Sequence, residues 1–205
     1  MIGVIDYGMG NLWSVRNALE LLGADVKICT VPVDLAEVER IYLPGVGAFR
    51  DCMANLKQKG FSEALRDAVI RQGKPIIGVC LGMQAMARRS FEGGDYEGLG
   101  WIDAEVVRLE PDDPSLRVPQ IGWNDVRYRP ISPLFAGLPP SPDFYFVHSF
   151  SLRVNDPAIV DATCDYGGPV TAAVLQNNIF ATQFHPEKSQ DYGLTLMKNF
   201  LNWNP

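Results

Sequence analysis

Ile76-Ile77-Gly78-Val79-Cys80-Leu81-Gly82 runs from a short apolar stretch straight into a cysteine flanked by glycines. Residues 76–79 read as a short buried strand, and the pattern turns helical over 83–87. The same strand-to-helix joint recurs upstream. Residues 2–6 form an apolar run that ends in the turn Tyr7-Gly8-Met9-Gly10. Asn11 can then cap a helix whose apolar positions are Leu12, Val15, Ala18, Leu19 and Leu22, closed by Gly23. Residues 26–29 and 41–43 are further strand candidates, the second leading directly into the loop Pro44-Gly45-Val46-Gly47. Helical patterns follow over 49–57 and 62–71, and Gly73 stops the second. This alternation predicts an α/β fold of three layers, a mostly parallel sheet flanked by helices.

The second half changes character. Residues 102–109, 118–128, 144–150 and 170–175 read as strands with no helices between them, which predicts additional antiparallel strands in the C-terminal half. Asn177-Asn178 is a hairpin turn leading to Ile179. The proline-rich stretch 130–142 is a surface loop, and a closing helix fits 190–203 with Leu194, Met197, Phe200 and Leu201 inward. With no repeat, low-complexity tract or linker, residues 1–205 read as one domain.

Composition removes several function classes. A net charge of −6 without a Lys/Arg cluster argues against nucleic acid. No apolar run is long enough for a membrane span, and the N-terminus lacks the basic residues of a targeting signal. The cysteines at 29, 52, 80 and 164 have neither zinc spacing nor a disulfide framework, so no metal and a reducing, cytoplasmic setting are expected. Gly8-Met9-Gly10 hints at a dinucleotide turn, but Trp13 stands where the third glycine belongs. No cofactor is expected.

Ligands of a parallel sheet sit at the carboxyl ends of its strands, where Gly8–Gly10, Gly45–Gly47 and Cys80 all fall. Gly-x-Cys-x-Gly at a strand-to-helix joint is the cysteine form of a nucleophile elbow: the glycines leave room for a tight turn, and the first helical turn favours thiolate. The Leu81 amide follows the nucleophile and is placed to meet a developing oxyanion. The competing reading is a buried cysteine in a glycine-rich turn. Histidine scarcity decides between them, because His148 and His185 are the only two in the chain. His185 ends the apolar run 179–184, and Glu187 follows two residues later. In an extended segment those two side chains share a face, so the carboxylate can orient the ring toward Cys80.

Gly78-Val79-Cys80-Leu81-Gly82-Met83-Gln84 and Gln183-Phe184-His185-Pro186-Glu187-Lys188-Ser189 resemble the two signatures of class I (triad) glutamine amidotransferases, and Pro44-Gly45-Val46-Gly47 resembles that family's oxyanion strand. Together with Pro119-Gln120-Ile121-Gly122-Trp123-Asn124 and Tyr145-Phe146-Val147-His148-Ser149-Phe150, these are similar to the glutaminase subunits of imidazole glycerol phosphate synthases. The resemblance implies catalytic roles for Cys80, His185 and Glu187, and an oxyanion hole from the amides of Val46 or Gly47 with Leu81. It assigns glutamine binding to Gln84, His148, Ser149 and Phe150. It implies a heterodimer with a (β/α)8-barrel cyclase that uses the ammonia in histidine biosynthesis, met through Asn11, Trp123, Tyr145 and Lys188. The alternative is the glutaminase subunit of another class I enzyme, such as anthranilate or aminodeoxychorismate synthase.

Overall fold

Over residues 2–5, 41–43, 76–79 and 179–181 successive side chains are apolar, so they fall on both sides of their strands and the sheet must be covered on both faces. In the computed structural model, which describes Met1–Pro205, the first half supplies most of that cover. Strand β1 (Ile2–Ile5) leads to helix α1 (Leu12–Leu21), β2 (Val26–Cys29) and β3 (Arg40–Leu43). Helices α2 (Phe49–Gln58) and α3 (Phe61–Arg66) follow, then β4 (Ile76–Val79), the one-turn helix α4 (Leu81–Ala85), and strands β5 (Ala87–Ser90) and β6 (Tyr96–Glu97). The second half contributes β7 (Ile102–Arg108), β8 (Gln120–Tyr128), β9 (Asp143–His148), β10 (Phe150–Val154), β11 (Val160–Asp165), β12 (Pro169–Gln176) and β13 (Ile179–Thr182), closed by α5 (Gln190–Asn202).

Nine strands form one sheet in the order β2-β1-β3-β4-β13-β12-β11-β8-β9. Pairing from β2 through β13 is parallel, and from β13 onward antiparallel. The chain divides where the sequence changes rhythm, except that β13 returns to stand beside β4. Period-two alternation sorts the strands onto two cores. Ile2, Val4, Tyr42, Ile77, Val79 and Phe180 pack with α1 and α5; Ile5, Ile41, Leu43, Ile76, Ile179 and Ala181 pack on the other side with α2 and α3. That second face is completed by a small sheet, β10-β7-β5-β6, whose Ala104, Val106 and Leu152 reach the same core.

The structure corrects four local expectations. The strand expected over 144–150 is two strands, because the chain leaves the large sheet at Ser149 and β10 joins the small one. The helix expected over 83–87 ends at Ala85; its five residues are all buried, leaving no amphipathic face to extend, and Ala87 starts a strand. The helical stretch after Phe61 changes to a π turn over Asp67–Arg71 before Gly73, at φ 72°, ends it. In α5 the fully buried positions are Gly193, Leu196, Met197 and Phe200, with Leu194 and Leu201 only partly covered.

Candidate active site

Strands β1, β3, β4 and β13 run the same way, so the segments that follow them gather along one edge of the sheet. The β4–β13 register pairs Val79 with Thr182, and the Cys80 amide donates to the Thr182 carbonyl at 2.7 Å. Cys80 is thereby fixed beside the residues that lead into His185, although more than one hundred residues separate them in the chain. The elbow is strained: Cys80 has φ 54° and ψ −109°, a conformation that costs a non-glycine residue roughly 1–3 kcal/mol. Its glycines permit close approach more than unusual dihedrals. A side chain at Gly82 would run into the Leu43 carbonyl, and one at Gly78 would sit 2.6 Å from the Met86 methyl. At Gly45 a Cβ would lie 2.6 Å from the Gly82 nitrogen, so the Pro44–Gly47 loop presses directly on the elbow.

His185 is almost fully buried, and its Nδ1 lies 2.8 Å from Glu187 Oε1. Glu187 reaches it differently from the sequence expectation. Pro186–Lys188 is a 3-10 turn, so the carboxylate curls back toward the ring rather than sharing a strand face. The fully buried Tyr42 hydroxyl donates to the other Glu187 oxygen at 3.3 Å. The backbone around the ring is pinned as well: His185 N–H donates to the Tyr145 carbonyl at 2.9 Å, and Ser189 Oγ donates to the His185 carbonyl at 2.6 Å. Burial alone would lower the His185 pKa. The close Cys80 sulfur and the hydrogen bond to Glu187, with the fields of both groups, outweigh it and push the value up to about 9. The ring is therefore an imidazolium at neutral pH. Its Nε2 is buried and has no hydrogen-bond partner: close as Cys80 is, no hydrogen bond of good geometry closes between sulfur and Nε2.

The sulfur is held from another side. Gln183 Nε2 donates to Cys80 Sγ at 3.6 Å, and the thiol faces the Val147 carbonyl at 4.0 Å. Gln84 Nε2 donates both to the Phe150 carbonyl at 2.9 Å and to Gln183 Oε1 at 3.1 Å. Cys80 and His185 open onto a cavity of about 450 Å3, whose wall includes Val46, Gly47, Leu81, His148, Ser149 and Phe150. Gln84, Glu92 and Lys188 also line it. The His148 ring is already engaged: Nδ1 donates to the Phe150 carbonyl at 2.8 Å and Nε2 lies 3.0 Å from the Gln120 carboxamide. Burial, aided by the nearby His185 charge and against the Phe150 hydrogen bond, lowers its pKa to about 4, so this ring stays neutral. Its ring nitrogens are committed to the protein.

Sequence reasoning missed Gln183, Tyr42 and Glu92. Gln183 had a signal, since it lies two residues before His185. Tyr42 sits inside an apolar strand and Glu92 in a polar loop, where nothing marks either.

Trp123 and Tyr145 are register partners on β8 and β9, their rings edge-on with centroids 6.0 Å apart, and Lys188 Nζ lies 5.9 Å over the Tyr145 ring. Trp123 remains 45% exposed. Asn11 is exposed and caps α1, accepting from the Ser14 amide at 3.3 Å.

The family described as glutamine amidotransferase class-I matches residues 3–203. The imidazole glycerol phosphate synthase subunit HisH of Mesorhizobium japonicum is 45% identical, covering 100% of this chain and 99% of its own. Subunit HisH 1 of Campylobacter jejuni is 48% identical over 98% of this chain and 99% of its own. Among solved structures, PurLQS from Thermotoga maritima superposes with a TM-score of 0.76 at 19% identity, covering 98% of this chain and 97% of that one, which speaks to the fold alone. By sequence along its whole length and by the architecture it shares, the chain belongs to the class-I glutamine amidotransferases, among the HisH subunits of imidazole glycerol phosphate synthases.

Proposed function

We propose that this chain hydrolyses glutamine at Cys80 and passes the ammonia to a (β/α)8-barrel cyclase subunit, with which it forms a cytoplasmic imidazole glycerol phosphate synthase heterodimer. One observation carries the reading: the β4–β13 register that sets a strained Cys80 beside the buried His185–Glu187 pair. In this reaction the sulfur attacks the side-chain carbonyl carbon of glutamine and a C–S bond forms. The oxyanion that develops is met by the Leu81 amide and an amide of Val46 or Gly47, each such donor contributing roughly 3–4 kcal/mol in acyl transfer. His185 Nε2 gives its proton to the departing nitrogen, ammonia leaves, and a thioester remains. The same nitrogen then takes a proton from water as water attacks the thioester, and glutamate departs. Glu187, steadied by Tyr42, keeps the ring in the required orientation.

Gln84, Ser149 and Phe150 hold the backbone of the substrate, and the Glu92 carboxylate suits its α-ammonium group. His148 acts at one remove, by fixing the Phe150 carbonyl. Asn11, Trp123, Tyr145 and Lys188 face the partner. Transfer within a complex matters because ammonia freed into water is protonated and loses its nucleophilicity. Cys80→Ala, assayed with its partner, is expected to lose all glutamine-dependent synthesis while retaining synthesis from ammonia supplied at high pH. Loss of both activities would contradict this division of labour.

A further inference from the structure

We infer that Gln183 is a further catalytic residue, whose side-chain amide holds the Cys80 sulfur so that the proton on His185 Nε2 stays free for the leaving amine. The inference rests on Cys80 as the nucleophile. Gln183 is fully buried, which is costly for a carboxamide unless each end has a partner. Both ends do, and the network dictates which way the amide points. The Phe150 carbonyl can only accept, so Gln84 must turn its NH2 group toward it. The second proton of that group goes to Gln183 Oε1, which leaves Gln183 Nε2 facing the sulfur at 3.6 Å. No other side-chain amide donates to Sγ, and the Val147 carbonyl at 4.0 Å can only accept.

The consequence lies in the neighbouring ring. His185 Nε2 is buried and unpartnered, yet the ring is clamped by Glu187 and by backbone hydrogen bonds at both ends of the residue. Were the imidazolium the sole support of the sulfur, that bond would have to break before the proton could move to the substrate. With Gln183 supporting the sulfur from two residues before the ring in the segment after β13, attack and proton delivery come from two separate donors. The Gln183 N–H bond is strongest to the anionic sulfur, relaxes when the thioester forms, and returns when glutamate leaves.

The test uses the complex with the partner subunit. Gln183→Met keeps the length of the side chain and removes the donor; Gln183→Glu keeps the shape and replaces donor by acceptor. For Gln183→Met, kcat is expected to fall about 10- to 100-fold with KM nearly unchanged, the loss of one hydrogen bond to a charged atom. Gln183→Glu is expected to fall further. Iodoacetamide, which alkylates Cys80 without using the oxyanion hole, should react more slowly at pH 7 with both. A packing role alone would lower thermal stability and leave that alkylation rate unmoved, and a kcat within twofold of the parent would overturn the inference. Should neither variant fold, the unaltered chain still decides. The side-chain amide protons of Gln183 should shift upfield in NMR when Cys80 is alkylated, and an unmoved resonance counts against the proposal. Full glutaminase activity in Cys80→Ser would instead remove the nucleophile assignment beneath it.

Discussion

His185 and His148 share one buried neighbourhood and titrate in opposite directions. Burial disfavours the charged form of both. At His185 the neighbouring Cys80 and Glu187 reverse it; at His148 the ring meets only neutral groups and the positive His185. Against an unfolded value near 6.5, the signs follow. His185 contributes stability that is complete below about pH 6.5 and fades as pH rises through about 9. His148 contributes stability present above about pH 6.5, of which up to about 3 kcal/mol is lost as pH falls toward 4. The imidazole Cε1 resonances of the two rings, followed by NMR, should therefore show one step near pH 9 and one near pH 4. A single step close to 6.5 for either ring would show that its burial or its partners are misjudged.

At the scale of elements, the elbow depends on β3, β4 and α4 approaching more closely than side chains allow. Gly82→Ala drives a methyl group into the Leu43 backbone, which has no flexible end to yield. It is expected to cost about 2–4 kcal/mol, read by urea unfolding, with Cys80 displaced from Gln183. Gly23→Ala, where a Cβ meets nothing within 4 Å, bears only the penalty of its positive φ and should cost less. What the sequence made legible follows the same logic. The strands that carry chemistry, β1, β3, β4 and β13, are dense apolar runs ending in marked residues, so Cys80, His185 and Glu187 could be named and placed at strand ends. Strands β5 and β6 are short and carry Arg88, Arg89 and Glu97, and β11 sets only the small Ala162 and Cys164 between Asp161, Thr163 and Asp165, so none of them offers a run of large apolar side chains. The break at Ser149 was hidden too, because residues on both sides favour strands and only the tertiary packing decides which sheet takes each.

At the scale of the whole molecule, the chain offers one side of an assembly. No helix is long and apolar enough to cross a membrane. Val46, Ile121 and Trp123 keep large apolar surface in water, and Trp123 stands against Tyr145, next to the strand that fixes the His185 backbone. Trp123→Ala should weaken binding of the partner subunit at least about tenfold, as loss of an aromatic anchor does, while the melting temperature stays within about 2 °C because the ring is half exposed. Titration calorimetry beside thermal unfolding separates the two effects; equal affinity in parent and variant would take Trp123 out of the interface.

The pairing of β4 with β13 also has a consequence for synthesis of the chain. A nascent polypeptide that has emerged only as far as β12 already carries the cysteine but none of the groups that surround its sulfur from the far strand. Until β13 and the His185–Glu187 turn have followed it out of the ribosome, the cysteine stands without its base, and cellular glutamine is not consumed by unfinished copies.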